Sequence, residues 1–263
     1  MVTDRLPLIA GNWKMNLDHL QAIATVQKLA WTLDEAQHDY QQVEVAVFPP
    51  FTDLRSVQTL VSADKLPIAY GGQDLSPFDS GAYTGDTSGV FLKALDCRYV
   101  LVGHSERRTL HHESDAELNQ KVIAALRNGL VPVLCVGETA EDLELHGASA
   151  VPIAQLRENL AGIPADSELV IAYEPVWAIG SGQAATPEQA QDVCAALRGV
   201  VVELLGAETA AATRILYGGS VKSSNIASFM KQADVDGALV GGASLDAEEF
   251  AKIARFPAHV TLP

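Results

Sequence analysis

An eight-stranded parallel α/β barrel, a (β/α)8 single domain over residues 1–263, is the fold class this sequence predicts, and three observations point to it. Eight short apolar runs recur along the chain without polar alternation, as parallel strands covered on both faces do. Segments with helical period lie between them, so strand and helix alternate from end to end. No Pro/Ser/Gly-rich linker, low-complexity tract or sequence repeat interrupts the pattern, and eight strand-helix units in 263 residues suit one barrel. Alternation alone also accommodates a doubly wound open sheet.

In chain order, strands are expected at residues 8–10, 43–48, 68–70 and 99–102, where Leu, Ile, Val and Phe dominate. Residues 20–33 and 116–127 carry apolar positions at helical spacing. The fifth strand is expected at 131–136, within the longest apolar stretch, and the sixth at 169–173. Thr186-Pro187-Glu188 then opens a helix over 187–205, with a capping residue, a proline and an acid in the order a helix start favours. The seventh strand, 214–217, is followed by helical period over 223–232. The eighth, 238–240, precedes Asp246, Glu248 and Glu249, acids that suit the positive end of a helix dipole.

Composition narrows the function. Hydrophobic residues make up 48% and charged residues 19%, which is globular. A formal charge of −15 argues against nucleic acid or an anionic membrane as the main partner. Cys97, Cys135 and Cys194 form no CxxC motif and are odd in number, so a disulfide framework is not expected and a reducing cytoplasm fits. The apolar stretch after Arg5 is short, and no run approaches the ~18 residues of a membrane span, so neither a signal peptide nor a membrane helix is expected.

In a barrel the chemistry belongs at the C-terminal ends of the strands, and the unusual polar clusters fall there. After the first strand comes Gly11-Asn12-Trp13-Lys14-Met15-Asn16, and after the fourth Gly103-His104-Ser105-Glu106-Arg107-Arg108. A histidine at the start of a helical turn is expected to stay neutral and donate a hydrogen bond, because the turn's amides disfavour a positive ring. His19, His38, His146 and His259 are expected to be satisfied or exposed rings. His111-His112-Glu113 is expected to be surface, since adjacent histidines point apart and no metal spacing accompanies them.

The sixth strand ends in Glu174, followed by Pro175, Val176, Trp177, Ala178, Ile179, Gly180, Ser181 and Gly182. Apolar residues in such a loop suit a lid that expels water from above a carboxylate. Gly180 to Ala185 also fits a relaxed G-x-G-x-x-A fingerprint, but it does not lie at a strand-to-helix junction and no suitably placed acid follows. Gly218-Gly219-Ser220 and Gly241-Gly242 follow the last two strands, where barrels commonly hold phosphate with backbone amides. Such amides together with Lys14 let an acidic protein bind a dianion.

Five segments in family order, residues 11–16, 104–108, 172–182, 217–221 and 241–245, resemble the triosephosphate isomerase family. The resemblance implies Glu174 as the base that removes a carbon-bound proton, and His104 as the electrophile. It implies Lys14 and Asn12 as stabilisers of negative charge and Glu106 as a site residue beside them. Substrate-binding positions would be Asn12, Lys14, Ser105, Ile179, Gly180, Ser220, Leu239, Gly241 and Gly242, with the lid over Pro175 to Gly182. Ser105 and Tyr217 would be among the open-state or closed-state partners of the lid. No cofactor or metal is implied. A glycolytic and gluconeogenic homodimer is, with Thr84 on the loop that reaches the neighbouring subunit.

Four features depart from the family pattern: Asp74 for asparagine, Asp86 for glutamate, Ser181 for threonine, and Gln183-Ala184-Ala185 at the end of the lid. They bear on interface contacts and lid kinetics. Two rivals are a phosphate-binding aldolase or epimerase, for which no Schiff-base lysine or metal cluster is visible, and a catalytically silent phosphate-binding barrel. Elimination of phosphate to methylglyoxal is read as a side reaction of an unprotected intermediate.

Overall fold

The eight apolar runs become eight parallel strands because each buries both faces, one toward a common axis and the other toward surrounding helices. A computed structural model describes residues 5–179 and 185–259. Its elements run β1 (Leu8–Asn12), α1 (His19–Glu35), β2 (Glu44–Phe48), α2 (Leu54–Asp64), β3 (Ala69–Gly72), α3 (Gly89–Ala94), β4 (Tyr99–Val102), α4 (Ser105–Leu110) and α5 (Asp115–Arg127). They continue with β5 (Val131–Val136), α6 (Ala140–His146), α7 (Ala150–Asn159), β6 (Val170–Tyr173), α8 (Pro187–Leu205), α9 (Ala207–Ala212), β7 (Arg214–Tyr217), α10 (Ile226–Phe229), β8 (Gly237–Val240) and α11 (Ala247–Ala254). Every strand pairs with its successor and β8 returns to β1, so the sheet is a closed barrel and not an open one.

Side chains sort by the two-residue period of the strands. Leu8, Ala10, Phe48, Tyr99, Leu101, Val133, Cys135, Ala172, Leu216 and Leu239 form an inner core. Ile9, Val45, Val47, Val100, Val102, Leu134, Ile171 and Ile215 belong to the larger core shared with the helices. Cys135 thus lies inside the barrel, where burial foremost, then the Glu174 charge, push its thiol well above the usual range.

Helix starts follow the local chemistry. Thr186 accepts from the Gln189 amide and Gln189 returns the bond, a capping box, and Pro187 occupies the first turn. Asp246 accepts from the amides of Glu248 and Glu249. The expected helix over 223–232 is shorter, only Ile226–Phe229. Local bonds compete with it: Asn225 Oδ1 accepts from the Lys222 amide at 2.8 Å and Asn225 Nδ2 donates to the Ser220 carbonyl at 3.0 Å. β3 runs on to Gly72, past the expected end at residue 70, pairing with β4 through Gly71 and Gly72; glycine at 71 permits this close approach, since a Cβ there would collide with the Tyr99 backbone.

One expectation is overturned. His111 and His112 are exposed, but Glu113 is 7% exposed and bonded to Lys121 Nζ at 2.6 Å and Arg107 Nε at 2.7 Å. Asp74 joins the same cluster through Lys121 Nζ at 2.9 Å and Arg107 Nη2 at 2.9 Å. The unusual aspartate therefore serves a buried charge network within the chain, and Asp86 accepts from the Ser76 hydroxyl at 2.8 Å. A buried carboxylate persists only when paired in this way.

Candidate active site

Strand ends β1, β4, β6, β7 and β8 converge on a cavity of about 270 Å3. Asn12, Lys14, His104, Glu174, Ile179, Ser220, Leu239, Gly241 and Gly242 all line it, nine of the residues singled out from sequence. Gly180, Ser181 and Gly182, together with Gln183 and Ala184, lie outside the described residues.

Glu174 continues β6 by one residue, its amide donating to the Val136 carbonyl at 2.8 Å. The side chain is 2% exposed. One oxygen, Oε2, accepts from the Ser105 amide at 2.8 Å and the other lies 3.0 Å from His104 Nε2. Ser105 therefore contributes its backbone N–H to the base, and it does not line the cavity. A Cβ at Gly218 would lie 3.0 Å from Glu174 Cγ, so a glycine there leaves the carboxylate room to move. At Gly137 a Cβ would overlap the Glu174 carbonyl, which explains a glycine at the end of β5.

His104 is the N-cap of α4, and its Nδ1 accepts from the Glu106 amide at 3.1 Å. A ring nitrogen that accepts an N–H carries no proton, which leaves Nε2 as the donor nitrogen of the ring. That N–H points at Glu174 Oε1. Arg108 anchors the segment from behind, donating to the Gly103 carbonyl at 2.9 Å and to the Cys135 carbonyl at 3.0 Å.

Lys14 sits with φ +55°, a left-handed backbone that costs a non-glycine residue about 1 kcal/mol. Two side chains hold it there. Asn12 Oδ1 accepts from the Lys14 amide at 3.0 Å, and Gln73 Nε2 donates to the Lys14 carbonyl at 2.7 Å and to Phe48 at 2.9 Å. The ammonium pairs with Glu106 Oε1 at 2.5 Å. Glu106 is half exposed and lies outside the cavity lining, so it acts through Lys14.

Past the base, Val176–Ala178 form a short 3₁₀ turn. Trp177 Nε1 donates to Glu138 Oε1 at 2.7 Å, and the Tyr173 hydroxyl donates to the same oxygen at 2.9 Å. Burial pushes the Glu138 carboxyl up, and these donors only partly offset it. Beyond residue 184, the Ala185 amide donates to the Tyr217 hydroxyl at 3.1 Å, a phenol pushed up to about 12 by burial. Gly241 leads into a 3₁₀ turn over Gly242–Leu245, whose first N–H groups have no acceptor within a short turn.

Sequence reasoning missed Gln73, Glu138 and Lys222 as parts of this site. Gln73 and Glu138 act through bonds to distant segments, which no spacing along the chain reveals. Lys222 stood beside a motif already picked out, so its position after β7 was an available signal. Among the described residues no group of three or more metal-ligating side chains forms, and no helix is long and apolar enough to cross a membrane.

Comparison with known proteins agrees with this geometry. A family model described as triosephosphate isomerase matches residues 7–256. The chain is similar to the triosephosphate isomerase of Leifsonia xyli subsp. xyli, 71% identical over 97% of this chain and 99% of the relative. It is likewise similar to that of Streptomyces avermitilis, at 58% identity over 97% and 99%. The enzyme of Mycobacterium tuberculosis is 56% identical over 98% of this chain and 99% of its own.

Proposed function

This chain belongs to the triosephosphate isomerase family, and from that premise we propose how its own residues interconvert dihydroxyacetone phosphate and D-glyceraldehyde 3-phosphate. It is an isomerase of triose phosphates, an activity of glycolysis, and it serves gluconeogenesis in the reverse direction. We read residues 1–263 as one barrel domain.

The observation that carries the mechanism is the buried Glu174 carboxylate set 3.0 Å from the N–H of a neutral imidazole in the same cavity. A substrate carbonyl inserted between them takes over the His104 Nε2–H bond and leaves Glu174 free to turn toward the adjacent carbon. Glu174 removes the carbon-bound proton, and electron density moves onto the carbonyl oxygen to give an enediolate. His104 polarises that oxygen and shuttles the proton between the two enediolate oxygens. Lys14 and Asn12 steady the developing charge, with Glu106 fixing the ammonium. Glu174 then returns the proton to the neighbouring carbon.

Backbone amides at Gly180, Ser220, Gly241 and Gly242 take the phosphate, with Leu239 and Ile179 closing the apolar side. The lid from Pro175 to Gly182 excludes water and protects the enediolate from phosphate loss.

A homodimer in the cytoplasm completes the reading. Its support is the placement of exposed large apolar residues: Met15 (95% exposed), Phe51, Phe78, Tyr83 and Leu110 all lie on segments following β1 to β4. Thr84 is exposed beside the stacked Phe78 and Tyr83 rings. Patches of this kind mark association surfaces.

The test is conversion of glyceraldehyde 3-phosphate by purified protein in chelator with no added cofactor. Rapid turnover supports the proposal, whereas folded protein without turnover would favour the silent barrel.

A further inference from the structure

Two lysines line the cavity, and they differ in what they have left to offer. Lys14 is engaged with Glu106 at 2.5 Å. Lys222, on the loop between β7 and α10, makes no ion pair among the described residues. It stands on the side of the cavity lined by Ser220, Gly241 and Gly242, opposite the acid-base pair in function.

The loop that carries it is clamped. The Lys222 amide donates to Asn225 Oδ1 at 2.8 Å, and Asn225 Nδ2 donates to the Ser220 carbonyl at 3.0 Å. The one carboxylate bonded to this loop, Glu249, is occupied by the amide and hydroxyl of Ser223 at 2.8 and 3.0 Å. The backbone at Lys222 is therefore held in place on the rim, and its exposed ammonium forms no ion pair among the described residues.

That arrangement matters because the chain carries a formal charge of −15, which repels a phosphate dianion at long range. Backbone amides act only within hydrogen-bond distance, so they hold the anion but do not draw it in. Resting on the isomerase reading above, we infer that Lys222 is a further substrate-binding residue: its ammonium captures the substrate's phosphate at the cavity mouth and stays beside it when bound.

The experiment measures kcat/KM for glyceraldehyde 3-phosphate across ionic strength in wild type, Lys222→Met and Lys222→Arg, with inorganic phosphate as competitive inhibitor. Lys222→Met should lower kcat/KM by about three- to tenfold at low salt, the gap shrinking below about twofold near 0.5 M, since a single charge facing a dianion is screened over a Debye length. Phosphate inhibition should weaken by a similar factor. The preference for the phosphorylated substrate over D-glyceraldehyde should fall with it, and Lys222→Arg should restore all three. Identical salt dependence and phosphate inhibition in wild type and Lys222→Met would overturn the inference. A wild type without isomerase turnover would instead overturn the functional reading, and calorimetric titration with inorganic phosphate would still decide the role of the lysine.

Discussion

Glu174 and His104 hold each other in the cavity, a carboxylate and a ring N–H joined at 3.0 Å with a second bond from the Ser105 amide. Glu174→Gln keeps the shape and the amide bond but cannot take a proton, so kcat should fall about 10²–10⁴-fold while inorganic phosphate still binds; steady-state kinetics with phosphate inhibition checks both. Lys14→Ala removes the cavity ammonium that pairs with Glu106 and frees that carboxylate, so KM should rise and kcat fall about 10²-fold; normal kinetics would mean that amides alone carry the anion. These residues were legible in the sequence because each sits one to four positions past an apolar run. Glu113 was not. Its partners Arg107 and Lys121 stand six and eight residues away, on different elements, and nothing in His111-His112-Glu113 distinguishes a buried carboxylate from a solvated one.

At the scale of elements, strands read more clearly than helices. Strands buried on both faces are apolar throughout, so β4, β5 and β7 fall where the runs placed them. Helices announced themselves only when long: α1, α5 and α8 show period and caps, whereas α6 buries no residue and α4 is six mostly polar positions held by tertiary bonds. The loop following β3, α4 and α5 are tied together by Asp74, Arg107, Glu113 and Lys121, of which Lys121 is 3% exposed. Lys121→Met fills similar volume but strands two buried carboxylates on Arg107 alone. It should cost about 3–5 kcal/mol in urea unfolding, and a loss within 0.5 kcal/mol would show the network to be dispensable. Because Arg107 lies on the helix that His104 caps, that network also braces the His104 segment.

For the whole molecule, closure from β8 to β1 decides between the two architectures that alternation allowed, and it gathers five strand ends around one cavity. The homodimer proposed above belongs to this scale too. Phe78→Asp, placed on the exposed apolar half of the rim, should shift sedimentation from dimer to monomer and lower activity with it; an unchanged dimer would move the interface elsewhere. Removal of a carbon-bound proton by Glu174 is the step on which the proposed reaction depends, and isomerisation in D2O followed by NMR reads it. Deuterium should appear at the reacting carbons of the triose phosphates during turnover, with both turnover and incorporation nearly abolished in Glu174→Gln. Turnover that leaves those carbons free of deuterium, or incorporation that persists at the wild-type rate in Glu174→Gln, would contradict it.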